Sequence, residues 1–253
     1  MRRKVFIPLI KFDSQIPLMK SILTQLRIEL DGMANEAAKA SAKKFFKEEL
    51  TTRGIKVPLV RKLAGEYRKQ LKDLSKSDLF RLCEDLWQSG YFEESIIACD
   101  WSYSRRKDYE PSDFAIFERW VKKYVNNWAS CDTLCNHTVG EFLQKYPDHV
   151  QQLKKWAVSK NRWMKRAAAV SLIIPARKGV FLEDILEIAS IQLTDADDMV
   201  QKGYGWMLKA ASEANLNKVF RFVIEHKGEM PRTALRYAIE KMPADKKAKA
   251  MAK

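Results

Sequence analysis

Apolar residues recur at helical spacing along almost the whole chain, and this periodicity limits the possible folds more than any other feature. Leu79, Leu82, Cys83, Leu86 and Trp87 follow the i, i+3, i+4, i+7, i+8 pattern of an amphipathic helix. No segment stands out with the alternating Val, Ile and Thr pattern of strands, and there is no Asn-Gly hairpin signal. The sequence therefore predicts an all-α fold.

Capping signals help to divide this pattern into separate helices. Ser75 followed by Asp78, and Thr194 followed by Asp197, resemble capping boxes at helix starts. The helices predicted in this way span residues 16–31, 34–49, 58–72, 77–89, 92–102, 112–125, 130–145, 147–159, 162–174, 181–192, 197–212, 214–227 and 231–241.

The rhythm of the predicted helices indicates a repeat protein. Successive helix pairs recur about every 35 to 40 residues, close to the period of HEAT and armadillo repeats. Short connections favour antiparallel neighbours. We therefore expect a right-handed α-solenoid with a concave basic face, formed by a single HEAT-like-repeat domain over residues 1–242. Residues 243–253 read as a frayed basic tail.

The charge balance indicates a polyanionic partner. Lys and Arg total 46 against 32 Asp and Glu, a formal net charge of +14. DNA, RNA and an anionic membrane surface all fit that balance, and so does a basic surface without a partner. The N-terminal segment is basic and then apolar, but its apolar run is too short for a signal peptide. We expect a cytoplasmic protein that does not span a membrane.

Positive charge is concentrated in one stretch. Residues 149–182 contain no Asp or Glu, whereas solvated helix faces usually mix both signs. Such a stretch is typical of a surface that lies against phosphates. Its eight cations are Lys154, Lys155, Lys160, Arg162, Lys165, Arg166, Arg177 and Lys178. No helix-turn-helix or zinc-finger motif is visible, so binding to the DNA backbone is a better prediction than sequence reading.

The common catalytic motifs of hydrolases and nucleotide-binding enzymes are absent, and the four cysteines lack the spacing of a zinc site. What remains is aromatic and acidic. Trp128 and Asp132 are four residues apart and would share a helix face. Trp206 follows Gly203 and Gly205 inside a predicted helix, where glycine is unfavourable and suggests a close approach. Taken singly, a Trp is more often a core residue, and Asp132 could simply lie near a helix N-terminus.

The order of these residues resembles the AlkD family of HEAT-like-repeat DNA glycosylases. The pattern is W-x3-D at Trp128 and Asp132, then Arg166, then Q-K-x-x-G-W ending at Trp206, and the resemblance covers about residues 35–241. The segment 54–61 is similar to the family's N-terminal G-x-x-x-P-x-x-R turn. The resemblance implies that Trp128 and Trp206 face the lesion, that Asp132 is the catalytic carboxylate and that Arg166 contacts the DNA backbone.

The resemblance also implies a reaction. It would be excision of positively charged alkylated purines, such as 3-methyladenine and 7-methylguanine, from duplex DNA without base flipping. No metal or organic cofactor is expected, and we expect a monomer that binds double-stranded DNA containing alkylated bases. The residues predicted to bind DNA are Arg166, Lys165, Arg162, Lys202, Arg53, Lys56 and Arg61.

Three other functions fit the same composition. A protein that recognises bent or branched DNA would use the same basic surface without the chemistry. A protein-binding HEAT scaffold would bind DNA weakly and with little dependence on salt, and the acid-free stretch argues against it. An RNA-binding protein is also compatible, because nothing in the sequence distinguishes deoxyribose from ribose.

Overall fold

The computed structural model describes residues 15–252, and over that range the chain forms helices joined by turns, without any strand. The prediction of an all-α fold is confirmed. The α-helices are α1 (Gln15–Gly32), α2 (Glu36–Phe45), α3 (Val57–Gln70), α4 (Lys76–Gln88), α5 (Phe92–Ser104), α6 (Asp113–Lys123), α7 (Trp128–Thr133), α8 (Gly140–Lys145), α9 (Val150–Ala157), α10 (Arg162–Val170), α11 (Ile173–Arg177), α12 (Leu182–Ile191), α13 (Asp198–Ala214), α14 (Leu216–His226), α15 (Arg232–Ile239) and α16 (Ala244–Met251).

A π-helical segment, Leu134–Val139, joins α7 to α8, so that the three form one continuous helical stretch. Two short 3-10 turns, Arg106–Asp108 and Pro147–His149, complete the elements. None of the helices in the described part of the chain combines the length and hydropathy of a membrane-spanning segment. The basic and apolar N-terminal segment, on which the prediction about a signal peptide depends, lies outside the described residues.

The helices are arranged in two rows. In the first row α3 packs on α5, α5 on α7, α7 on α10, α10 and α11 on α13, and α13 on α15. We call this the site row. A second row packs against the first, with α4 against α5, α9 against α10, and both α12 and α14 against α13. This arrangement of successive helix pairs is compatible with the predicted solenoid.

Polar contacts between neighbouring helix pairs span about one predicted repeat. The Arg119 guanidinium donates to Glu84, 35 residues away, and the Trp156 indole donates to Glu118, 38 residues away. Lys154 donates to Glu187, 33 residues away. The buried indole N–H of Trp156 would otherwise lack an acceptor. These contacts therefore couple one helix pair to the next at a spacing close to the period that the sequence predicts.

Helix starts follow the capping chemistry with one correction. The Ser75 hydroxyl accepts a hydrogen bond from the backbone N–H of Asp78, as the sequence predicts. At the start of α13 the cap is Asp197, whose carboxylate accepts from the Met199 N–H. The expectation that Thr194 caps this helix is wrong, because Asp197, three residues further on, is the cap and its carboxylate accepts from a free N–H of the first turn.

The predicted helix 162–174 is interrupted. It consists of α10 and α11, separated at Ser171 and Leu172. Pro175 has no N–H to donate to the Ser171 carbonyl four residues earlier, so the helix cannot continue regularly through this point. Gly140 packs here as well, since a Cβ at that position would lie 2.9 Å from the Ser171 carbonyl oxygen.

The C-terminal segment is not a frayed tail. Residues Ala244–Met251 form α16, which packs against α14 and α15 and buries Ala250. The Lys227 ammonium donates to the backbone carbonyls of Lys249 and Ala252 at its end. A cation that contacts the last carbonyls stabilises a helix C-terminus. This explains why a short basic segment is ordered as a helix.

Candidate active site

An open cavity of about 500 Å³ lies along the site row, between α7, α10, α13, α15 and the segment that ends α2. Its lining is aromatic and charged, with both signs present. The lining residues are Phe45, Lys47, Glu48, Trp128, Asp132, Arg166, Met199, Lys202, Trp206, Lys209 and Tyr237. Trp128, Asp132, Arg166 and Trp206, which the sequence brings together only by their order, thus share one cavity.

Aromatic side chains form one wall of the cavity. Trp128 begins α7, where the Asn127 side chain caps the helix by accepting from the Ser130 N–H. The Phe46 ring stacks on Trp128 at 5.5 Å between centroids, and the Phe45 ring meets its edge at 5.8 Å. Phe45 is 68% exposed although it is a large apolar residue. The wall therefore presents apolar ring surface to whatever enters the cavity.

Asp132 lies one helical turn after Trp128 and is held by Arg166. Its two carboxylate oxygens accept from Arg166 Nε and Nη2, each at 2.8 Å. The third contact of the guanidinium goes to the Met199 carbonyl oxygen at 2.6 Å. Arg166 is buried, and 14% of the Asp132 side chain remains exposed. A parallel pair of hydrogen bonds of this kind fixes the orientation of a carboxylate.

Burial raises the pKa of the Asp132 carboxyl above the usual range of an aspartate, and the hydrogen bonds and positive charge of Arg166 oppose that rise. On the Arg166 side, burial lowers the pKa of the guanidinium, but the hydrogen bond and negative charge of Asp132 outweigh it, so the pKa rises. Arg166 therefore stays charged and favours the ionised form of Asp132 at neutral pH.

The two glycines before Trp206 allow close packing, which confirms the close approach that the sequence suggests. A Cβ at Gly203 would lie 3.4 Å from the Cγ of Arg166. At Gly205 it would lie 2.7 Å from the Cβ of Tyr237 and 2.8 Å from the Ala234 carbonyl oxygen. The glycines thus let α13 lie directly against α10 and α15. Half-buried Trp206 projects into the cavity from this close-packed helix.

The segment that ends α2 contributes residues that the sequence analysis does not identify. Phe45, Lys47 and Glu48 line the cavity, and Lys47 and Glu48 contact residues far away in the chain. Lys47 Nζ lies 3.3 Å from an oxygen of Asp198, and a Glu48 oxygen lies 3.7 Å from Arg162. The one sequence signal for this segment is the adjacent pair Phe45 and Phe46 at a helix end. A single apolar stripe cannot bury both rings, so one of them is expected to face a cavity or a partner.

The acid-free stretch is largely neutralised in three dimensions. Lys154 pairs with Asp184 and Glu187, and Lys165 pairs with Asp195. These acids lie about one repeat later in the chain, so a window of 34 residues does not contain them. The absence of acids from this stretch of sequence therefore does not mean that its cations are unpaired, and Lys154 and Lys165 are poorer candidates for phosphate contacts than the sequence suggests.

Arg162 and Arg177 also pair with acids that lie about one repeat later in the chain. Arg162 pairs with Asp197 at 2.8 Å and lies 3.7 Å from Asp198, and Arg177 lies 3.4 Å from Glu213. Arg162 remains partly exposed, so a phosphate contact stays open to it. Its charge is nevertheless shared with carboxylates inside the protein.

The other residues predicted to bind DNA divide into buried and accessible ones. Arg53 is 8% exposed, pairs with Asp31 and Glu94, and lies over the Tyr91 ring. Its charge is used inside the protein, so the prediction that Arg53 contacts DNA gives way to a structural role.

Lys56 and Arg61 are exposed at the start of α3, and Lys202 lies in the cavity lining, 3.0 Å from Asp198. Arg166 is also in the lining, but each of its three guanidinium nitrogens already donates to Asp132 or Met199. Its geometry therefore supports positioning of Asp132 rather than a contact to the DNA backbone.

Comparison with known proteins identifies the family. The model of the DNA alkylation repair enzyme family matches residues 26–242. No curated protein matches the chain significantly. Among solved structures, the fold is similar to that of a predicted DNA alkylation repair enzyme from Enterococcus faecalis, with a TM-score of 0.76 and 18% identity, covering 84% of this chain and 98% of that one. Such low identity shows a shared fold, whereas the family match extends over most of the sequence. The chain belongs to the DNA alkylation repair enzyme family.

Proposed function

We propose that the protein is a DNA glycosylase that removes positively charged alkylated purines, such as 3-methyladenine and 7-methylguanine, from duplex DNA. The observation that carries this proposal is that Trp128, Trp206 and the Asp132 carboxylate line the same cavity. Aromatic faces attract a cationic base, and a carboxylate stabilises the positive charge that develops on the sugar. Family membership supports action on alkylated DNA.

The chemistry needs few groups because the substrate is already activated. An alkylated purine carries a positive charge and leaves as a neutral base when the N-glycosidic bond breaks, so the enzyme does not have to protonate it. Trp128 and Trp206 would face the cation, and each contact could contribute about 0.5 to 2 kcal/mol. An acid–base pair is therefore not required.

Asp132 would act on the sugar. Positive charge develops on the deoxyribose as the bond breaks, and a fixed carboxylate beside it stabilises that charge and orients the attacking water. Arg166 holds both oxygens of Asp132 in place, so the carboxylate does not have to reorganise during the reaction. We assign Arg166 as a positioning residue for Asp132.

DNA would be held by its backbone, and the base would stay in the duplex. Among the residues predicted to bind DNA, Lys202 in the cavity, Lys56 at the N-cap of α3 and Arg61 on α3 are accessible cations of the site row. We propose that the protein acts as a cytoplasmic monomer on double-stranded DNA, without a metal or organic cofactor, and that it does not flip the lesion. Fluorescence of a 2-aminopurine opposite the lesion should then stay quenched on binding, whereas a flipped lesion would raise it.

The proposed reaction is tested by the products. Duplex DNA treated with a methylating agent is incubated with the protein, and the released bases and the abasic sites are both measured. The proposal expects free 7-methylguanine and 3-methyladenine together with equal numbers of abasic sites. Loss of the methyl group with the base left in place would indicate another repair chemistry. Salt-sensitive binding without any release would favour recognition of DNA structure.

A further inference from the structure

A second carboxylate lines the cavity, and the roles given to Trp128, Asp132 and Trp206 do not use it. Glu48 lies just after α2, and its side chain is 13% exposed. One of its oxygens lies 3.7 Å from Arg162 Nη1, which is longer than a hydrogen bond. The other oxygen is shielded from solvent and has no hydrogen-bond partner among the described residues.

The charge of Glu48 is less well compensated than that of Asp132. Arg166 matches both oxygens of Asp132 at 2.8 Å, whereas Arg162 is closer to Asp197 than to Glu48. A mostly buried carboxylate without good partners is unfavourable, and a nearby cation relieves that cost. The remaining charges of the cavity lining, apart from Asp132, are positive and would repel a cationic ligand: Lys47, Arg166, Lys202 and Lys209.

We infer that Glu48 is a specificity-determining residue, which makes the cavity prefer a positively charged lesion or sugar over a neutral one of the same shape. The inference rests on the proposed glycosylase function and adds a residue to it. Glu48 supplies negative charge from the segment after α2, and Asp132 supplies it from α7. A cation in the cavity completes the counter-charge that Arg162 supplies only at a distance.

The test compares two abasic analogues in the same duplex. A pyrrolidine analogue is protonated and carries the positive charge of the sugar in the transition state, and a tetrahydrofuran analogue has the same shape without charge. Binding of both is measured for the wild-type protein, for Glu48→Gln and for Glu49→Gln. Glu49 is the matched control, because it is the exposed neighbour that does not line the cavity.

We expect Glu48→Gln to reduce the preference for the charged analogue by about tenfold, the order that one ionised partner contributes. Glu49→Gln should leave the ratio of the two affinities unchanged, because Glu49 does not line the cavity. Both substitutions remove one negative charge, so a general change in the attraction to DNA affects the two variants alike. A purely structural Glu48 would lower the affinity for both analogues together, along with Tm, and leave their ratio unchanged. That result would overturn the inference.

The wild-type protein separates this failure from failure of the proposed function. If it releases 7-methylguanine and prefers the charged analogue, while Glu48→Gln keeps that preference, only the role of Glu48 is wrong. If the wild-type protein releases no base and binds both analogues equally, the glycosylase proposal itself fails, and the inference fails with it.

Discussion

The ion pair between Asp132 and Arg166 is the contact on which the site depends at the scale of single residues. The sequence identifies both members, because their order matches a known pattern and Asp132 lies one turn from Trp128. It does not show that they bind each other across 34 residues with two parallel hydrogen bonds. The structure changes the proposed role of Arg166 from a contact with DNA to a support for the carboxylate.

Arg166→Lys tests this support. Lysine keeps the positive charge but cannot form the parallel pair of hydrogen bonds, so the carboxylate should be less well oriented. We expect single-turnover release of 7-methylguanine to slow by about tenfold or more while the Kd for duplex DNA changes less than twofold. An unchanged rate with a weaker Kd would instead indicate that Arg166 binds the DNA backbone.

The pH dependence of excision should reflect the buried carboxylate. Asp132 must be ionised to stabilise the sugar cation, and burial raises its pKa above the ordinary value of about 3.9. Activity should therefore fall as the solution is acidified, and the fall should begin at a higher pH than for an exposed aspartate. We expect kcat/KM, which reports the free enzyme, to show this acid limb and no alkaline limb from a general acid.

Glu48 and Phe45 mark the limit of prediction for single residues. Both line the cavity because the end of α2 meets helices that lie much later in the chain. Neither local spacing nor composition carries information about such a contact. The order of Trp128, Asp132 and Trp206 was informative because a family pattern connects them.

At the scale of helices, periodicity predicted nearly every element and the chemistry of helix ends explains the exceptions. The predicted helix 162–174 is divided because Pro175 interrupts it, and the residues after Pro243 form α16 because they find a partner in α14 and α15. The π-helical segment after Asp132 could not be predicted, since its sequence continues the helical spacing. Such segments often occur at functional sites.

Gly205→Ala tests the packing of α13 on α15. Alanine is favoured over glycine inside a helix by about 1 kcal/mol, so propensity alone would stabilise the protein. The added Cβ would lie 2.7 Å from the Tyr237 Cβ and 2.8 Å from the Ala234 carbonyl oxygen, neither of which can move freely. We expect a net loss of about 1 to 3 kcal/mol in the free energy of unfolding, together with slower excision because Trp206 shifts.

Denaturant unfolding of the variant gives the first quantity and single-turnover release gives the second. Gly65→Ala is a suitable control, because nothing lies within 4 Å of a Cβ at that helical position. Stabilisation by both substitutions would contradict the close packing of α13 on α15.

At the scale of the whole molecule, the net charge indicates the kind of partner but does not show which surface binds it. The net charge of +14 predicts a polyanionic partner, and the family match agrees with that prediction. The acid-free stretch overstates the free positive charge at this place, because acids from the next repeat pair with Lys154 and Lys165. A repeat protein brings charges about one period apart into contact, and a sequence window shorter than that period misses them.

Substitution of two lysines tests which surface binds DNA. Lys202 lies in the cavity lining of the site row, whereas Lys154 lies on α9 in the second row and pairs with Asp184 and Glu187. We expect Lys202→Gln to weaken DNA binding and to reduce the slope of log affinity against log salt by about 1, the value for one lost phosphate contact. Lys154→Gln should leave that slope unchanged. Equal effects of the two variants would place the DNA on another surface.

The central claim is that the Asp132 carboxylate drives base excision, and the most direct test is single-turnover release of 7-methylguanine by Asp132→Asn. Asparagine keeps the shape and loses the charge, but it also leaves the buried Arg166 without its partner, so the variant must first be shown to be folded. We predict that release falls to near the uncatalysed rate while the affinity for duplex DNA stays equal or rises. Normal release by a folded Asp132→Asn protein would contradict the account.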